Sequence, residues 1–545
     1  LETSDLAVLK TSQIVALKTS QIAALTTDQI QQGLSTAQVA ALTTSQVRQG
    51  LTTDQVQALA TNQIAALGSA DVAALSTAQV GALTTAQVQQ GLTTAQVAAL
   101  TTTQVQQGLS TDDIVALTTA QVQGLTSAQI GALGTTQVQS LETADLAALK
   151  TNQIAALKTG QIAALTTDQV QQGLTTAQVA ALSTAQVQQG LGTTQVQALA
   201  TNQIAVLGTA NVAALGTGQI AALTTTQVQQ GLTTTQVAAL TTLQVQSLST
   251  DHVVALTTAQ VQQGLTTAQV AVLTSSQVSA LETGDVAVLK TSQIAALKTS
   301  QVAALTTAQV QPGLTTAQLV ALTTAQVRQG LTTDQIQALA PNQIAVLGTA
   351  NVAALSSSQI AALTSDQVQQ GFTTTQVAAL TTSQVQQGLS TDNVVALTTA
   401  QVQAIGTAQV AALTTQQVAA LETLDVAALK TSQLAAMGTA QVVALTTDQL
   451  VALTTAQVQS LTSAQIGALG TTQVQALETA DLAALKTNQI AALKTGQIAA
   501  LTTDQIQQGL TTAQVAALST AQVQQGLSTD DIVALTSAQV QSLTS

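Results

Sequence analysis

An aliphatic residue and then a leucine return along this chain in one fixed frame, with small and polar residues between them. Residues 93–100, Thr-Thr-Ala-Gln-Val-Ala-Ala-Leu, show the frame: Gln96 takes position four, Val97 position five and Leu100 position eight. Position five is Val, Ile or Leu, position eight is nearly always Leu, and position four is Gln, Asp, Asn or His. Ala, Leu and Gln favour helix. Thr at position one and Gln at position four have the spacing of a capping box, and the preceding Leu pairs with position five as a hydrophobic staple. Asp at position three, as at Asp28 and Asp54, suits the positive end of a helix. Pro341 stands at position two, the first helical place, where its missing amide costs nothing.

One continuous helix fits badly. Eight residues overshoot two turns by about 80°, so the apolar stripe would wind around the axis. The pattern predicts an all-α solenoid: very short capped helices, one per unit, bent at each Leu-Thr-Thr. Helices this short are unstable alone, so neighbours must bury the aliphatic edges. Fourteen units have nine residues and close on Gly-Leu or Gly-Phe, as at Gln31, Gln32, Gly33 and Leu34. Glycine there predicts a left-handed cap. The competing reading is a β-solenoid, because Thr and Val favour strand. In a strand, however, positions five and eight would face opposite ways, and each nine-residue unit would flip every later face. Handedness and the number of units per turn do not follow from the pattern.

The frame leaves no residue over between 2 and 543, which makes 66 units of eight or nine residues. The whole chain, 1–545, reads as a single continuous array without a separate domain or linker. Units opening Glu-Thr, with Asp at position four, begin at Glu2, Glu142, Glu282 and Glu422, a step of 140 residues. That period divides the chain into 1–140, 141–280, 281–420 and a shortened 421–545, with an early fifth copy at Glu478. Lysine opens the next unit each time, at Lys10, Lys150, Lys290, Lys430 and Lys486, and four copies add Lys18, Lys158, Lys298 and Lys494. If successive units stack, opposite charges meet along one edge. These residues are therefore candidate register marks between coils or between chains, although a solvated ion pair is worth little.

Composition narrows the function. There is no Cys and no Trp or Tyr, one His, and 6% charged residues, against 46% apolar ones. No disulfide or thiolate–metal site can form. A net charge of −13 argues against nucleic acid. The aliphatic content argues against disorder, and no apolar run is long enough to span a membrane. His252 reads as drift at a tolerant polar place. The pairs Asp112–Asp113 and Asp530–Asp531 read as solvated helix starts, leaving room for weak Ca²⁺ binding. Arg48 and Arg328 are too sparse to bind anything, and Phe372 and Met437 replace the closing Leu in the core. No catalytic group, cofactor site or metal site is expected, so the chain is not expected to be an enzyme.

Residues 51–59, Leu-Thr-Thr-Asp-Gln-Val-Gln-Ala-Leu, resemble the first helix of a TAL-effector repeat. The longer repeat, the base-reading pair and the basic charge are missing, so no DNA binding is implied. The full array resembles the Thr/Ala/Gln-rich tracts of giant secreted bacterial surface proteins of the adhesin or haemagglutinin type. That resemblance implies an extracellular or cell-surface location and carries no site residue with it. The chain opens at Leu1 without a leader, which reads as processing or excision from something longer. Its last residues, Thr544 and Ser545, open another unit, so the array is expected to continue or to stack end to end. The expected function is structural: a solenoid that associates with itself, end to end or laterally, into an extracellular filament, sheath or surface layer. The alternative is the stalk of an adhesin whose binding head lies elsewhere.

Overall fold

The computed structural model describes residues 1–543, so Thr544 and Ser545 lie outside the described residues. Among the described residues, 52 short α-helices and 14 five-residue π-helical turns follow one another, one per unit, and there is no strand. The all-α solenoid is thus the fold, and the β-solenoid is not.

Each helix starts where its capping chemistry places it. In residues 93–100 the helix is Thr94–Ala99, with Thr93 as the extended N-cap. The Thr93 Oγ1 accepts from the Gln96 amide at 3.2 Å, and the Gln96 Oε1 accepts from the Thr93 amide at 2.7 Å. Where position one is Lys, Ala or Gly the hydroxyl half is lost, but the Gln half remains, as from Lys10 N to Gln13 Oε1 at 2.8 Å. The closing Leu ends the helix: Leu100 is extended, and its amide reaches back to Gln96 and Val97. Pro341 is the first residue of its helix, as its fixed φ favours.

The nine-residue units absorb their extra residue as a wider turn. In Gln46–Gly50 the Leu51 amide bonds the Gln46 carbonyl, five residues back. The glycine is not a left-handed cap, since no described residue has a positive φ. Close approach explains it instead. A Cβ on Gly190 would lie 2.9 Å from the Ile162 Cβ, and one on Gly50 would lie 3.1 Å from the Ile22 Cβ.

Helices pack against the helix three units earlier and the helix three units later, so one coil takes three units. Asn152 Nδ2 donates to Ser127 Oγ, 25 residues before it, at 3.1 Å. The chain forms two compact halves, Leu1–Val272 and Leu273–Ser545. The same arrangement recurs in the second half, where Asn488 Nδ2 meets Ser463 Oγ at 3.0 Å. Away from the two ends of the chain, where Ile532 and Val540 are exposed, positions five and eight fill the inside of the coils, as the pattern predicts: Val97 is fully buried and Leu100 is 4% exposed. Phe372 and Met437 take the Leu place and are equally buried. No helix among the described residues is long and apolar enough to cross a membrane.

Candidate functional site

The chemistry of this fold is concentrated at its corners, where one unit ends and the next begins. A corner presents main-chain carbonyls that its own helix cannot satisfy. Position four of the coil above supplies the donor. Gln96 Nε2 donates to Ile64 O at 2.8 Å and to Leu67 O at 2.7 Å, both in the unit four before it. Leu67 is the last residue before the unit on which residues 93–100 rest, so the bond lands on the corner directly beneath. Gln178, Gln326 and Gln376 repeat it on Leu149, Leu297 and Leu347. The side chain is buried, with Gln96 2% exposed. Burying an amide is tolerable only because both its ends are bonded.

The rarer residues at position four obey the same geometry. His252 is buried, so the place is not a tolerant one. Its Nε2 lies 2.6 Å from Leu223 O, and its Nδ1 accepts from the Ser249 amide at 3.4 Å. An imidazole with its hydrogen on Nε2 copies both ends of a glutamine. Asn211 and Asn351 reach the corner carbonyls of Leu182 and Leu322 at 2.8 and 3.1 Å.

Aspartate at position four accepts but cannot donate. Asp113 and Asp531 are buried, which corrects the reading of both Asp-Asp pairs as wholly solvated; only Asp112 and Asp530 face water. Asp113 Oδ2 accepts from the Ser110 amide and hydroxyl at 2.9 and 2.7 Å. At Asp145, Asp425 and Asp481, in Glu-Thr-x-Asp units, the carboxylate instead meets a threonine hydroxyl from the helix beneath, as Thr119 Oγ1 donates to Asp145 Oδ1 at 2.7 Å. Burial pushes the Asp425 carboxyl up from its ordinary range; the Thr399 hydroxyl opposes this and the negative charge of Glu422 adds to it. Asp481 is pushed up in the same way, with Thr455 and Glu478 in those roles. Asp71 is also raised by burial, against a hydrogen bond from the Gly68 backbone. Asp425 Oδ2 is buried without a hydrogen-bond partner.

The charged units are arranged differently from the sequence expectation. Because stacking joins units three apart, Glu2, Lys10 and Lys18 occupy the three sides of one coil and do not stack on each other. The same holds for Glu142, Lys150 and Lys158, and for Glu282, Lys290 and Lys298. Among the described residues no three His, Asp or Glu side chains gather as a metal site.

The model of the ALTTAQ repeat matches residues 1–32, 56–90, 107–143, 138–172, 196–230, 278–311, 338–370, 387–423, 418–455, 448–479 and 474–508, well over half of the chain. The chain belongs to the ALTTAQ repeat family. Residues 82–87 spell that motif, and it runs across a corner: Ala82 and Leu83 close one unit, and Thr84 to Gln87 open the next. The ALTTAQ signature therefore names the cap and the donor that hold coil to coil. No curated protein matches this chain. Among solved structures, the leucine-rich repeat-containing protein LegL7 from Legionella pneumophila is similar over 41% of this chain and 76% of that one, at 10% identity and a TM-score of 0.12.

Proposed function

We propose that this ALTTAQ repeat chain is a structural protein that associates with itself into an extracellular or cell-surface filament, sheath or layer. The observation that carries this reading is the division of labour within each unit. Positions four, five and eight are consumed by the coil's own interior and corners, while positions one, two and three present Thr, Ser and Ala outward at the same place in coil after coil. A repeated, nearly uncharged surface has little self-repulsion and a built-in register for side-by-side packing. The Glu and Lys that open units 140 residues apart supply sparse charges to fix that register between chains. The chemistry of the corners is hydrogen bonding between coils, which serves rigidity rather than a reaction.

Light scattering over a concentration series, with negative-stain images of the same samples, tests the reading. Growth of mass with concentration, and fibres or sheets of uniform width, are expected. A monodisperse monomer at every concentration would overturn self-assembly and favour the adhesin stalk, since a spacer needs the same stiffness without the lateral contacts.

A further inference from the structure

Asp425 and Asp481 replace the glutamine donor with a carboxylate at two buried corners, each 2–3% exposed. The corner carbonyls four units before them belong to Leu397 and Leu453. Asparagine shows what a side chain of the same length does at this position. Asn211 Nδ2 donates to Leu182 O at 2.8 Å, and Asn393 Nδ2 donates to Leu363 O at 3.0 Å, each the closing residue four units earlier. A protonated aspartic acid has the shape of asparagine and one O–H donor; an ionised one has none.

We propose that the Asp425 and Asp481 corners are acid-tightened seams between coils. At neutral pH the ionised carboxylate leaves the contact one donor short. A proton taken from solvent onto the buried carboxylate oxygen turns it into the donor that closes the corner against Leu397 O or Leu453 O, as asparagine does elsewhere in the chain.

The surroundings favour the proton. Helix Thr423–Ala428 packs against Thr399–Ala404, which has no titratable group, and against Thr447–Val451, which carries Asp448. Helix Thr479–Ala484 packs against Thr455–Ser460, again without one, and against Gln505–Gly509, preceded by Asp504. On their own units stand Glu422 and Glu478, and the nearest cations in sequence, Lys430 and Lys486, open the next unit around the corner. Each buried carboxylate thus sits among acids and one threonine hydroxyl. The unpartnered Asp425 Oδ2 has no exposed surface, which suits a proton and not a hydrated metal ion.

Hydrogen exchange of the full chain at pH 4.5 and 7.5, corrected for intrinsic rates, tests the seams. Peptides covering 422–429 and 478–485 should gain protection on acidification, about tenfold for each unit by which the folded carboxyl lies above its unfolded value. Peptides over glutamine corners away from any position-four aspartate, such as 233–240, where Gln236 donates to Leu207 O at 2.8 Å, should not. Asp425→Asn and Asp481→Asn should show the acid level of protection at both pH values. Equal acid responses at aspartate and glutamine corners, or an unchanged response in the asparagine variants, would overturn the proposal. If a variant fails to fold, the comparison of corners within the natural chain decides alone.

Discussion

Gln96 Nε2 donates to Leu67 O at 2.7 Å, a bond spanning 29 residues that ties the start of one helix to the corner beneath it. The same amide closes its own helix through Oε1. One side chain therefore determines both where a helix begins and what it rests on. This coupling explains why the unit can be so short. A helix of six residues is far below the length at which helices are stable alone, but each is stabilised at its cap, at its corner and by two buried aliphatics worth about 1.5–3 kcal/mol each.

Gln96→Ala should remove the side-chain half of the capping box and both corner bonds, leaving buried groups unpaired at about 1–3 kcal/mol each. Urea unfolding should show a loss of that size, with exchange rising first in residues 60–67 and 93–100. Substituting exposed Ala95 by Ser is the control, expected within about 0.5 kcal/mol of the natural chain.

Gly190→Ala should destabilise by about 1–3 kcal/mol, since its new methyl would meet Ile162 at 2.9 Å in a packed interior. Gly160→Ala should do the opposite by a few tenths to about 1 kcal/mol, because nothing lies within 4 Å of its added Cβ and it sits inside a helix. Thermal midpoints of the two variants decide. Equal shifts of one sign would show that the glycine of the nine-residue unit is not there for close approach.

The cap, the helix and the core were legible because their signals are local: Thr, Gln, Val and Leu lie within eight residues of one another. The second end of the glutamine was not legible, since its partner lies about thirty residues away and nothing in one unit points to it. The number of units per coil was hidden for the same reason. Gly190 was misread because glycine serves a positive φ and a close approach alike, and a single sequence does not separate them. Asp113 was read as solvated beside Asp112, although the two occupy different positions of the frame and only position four turns inward.

Asp71 gives a pH dependence of known sign. Burial raises its carboxyl above the ordinary value of 3.8, so the folded chain binds this proton more tightly than the unfolded chain does. Its stabilising contribution is complete below about 3.8 and is lost as pH rises through the raised folded value. Arg48 lies on the π-helical turn packed against its helix and is not among the causes of the shift. Asp71→Asn recreates the Gly-Thr-Ala-Asn pattern of residues 208–211 and 348–351 apart from one Ser. The variant should be more stable than the natural chain at pH 7, and the gap should close toward pH 4. Thermal melts at the two pH values check this; a gap that widens on acidification would reverse the assignment.

The three-unit coil is the central claim, and disulfide closure tests it most directly because the chain has no cysteine of its own. Ser127 and Asn152 touch across coils three units apart. Oxidised Ser127→Cys/Asn152→Cys should form an intramolecular disulfide rapidly and nearly completely, as seen by free-thiol titration and gel mobility. Ser127→Cys paired with Ala144→Cys, two units on, or with Gly160→Cys, four units on, should stay reduced within the monomer. Closure of either control pair in preference to the first would contradict the coil and every corner bond derived from it.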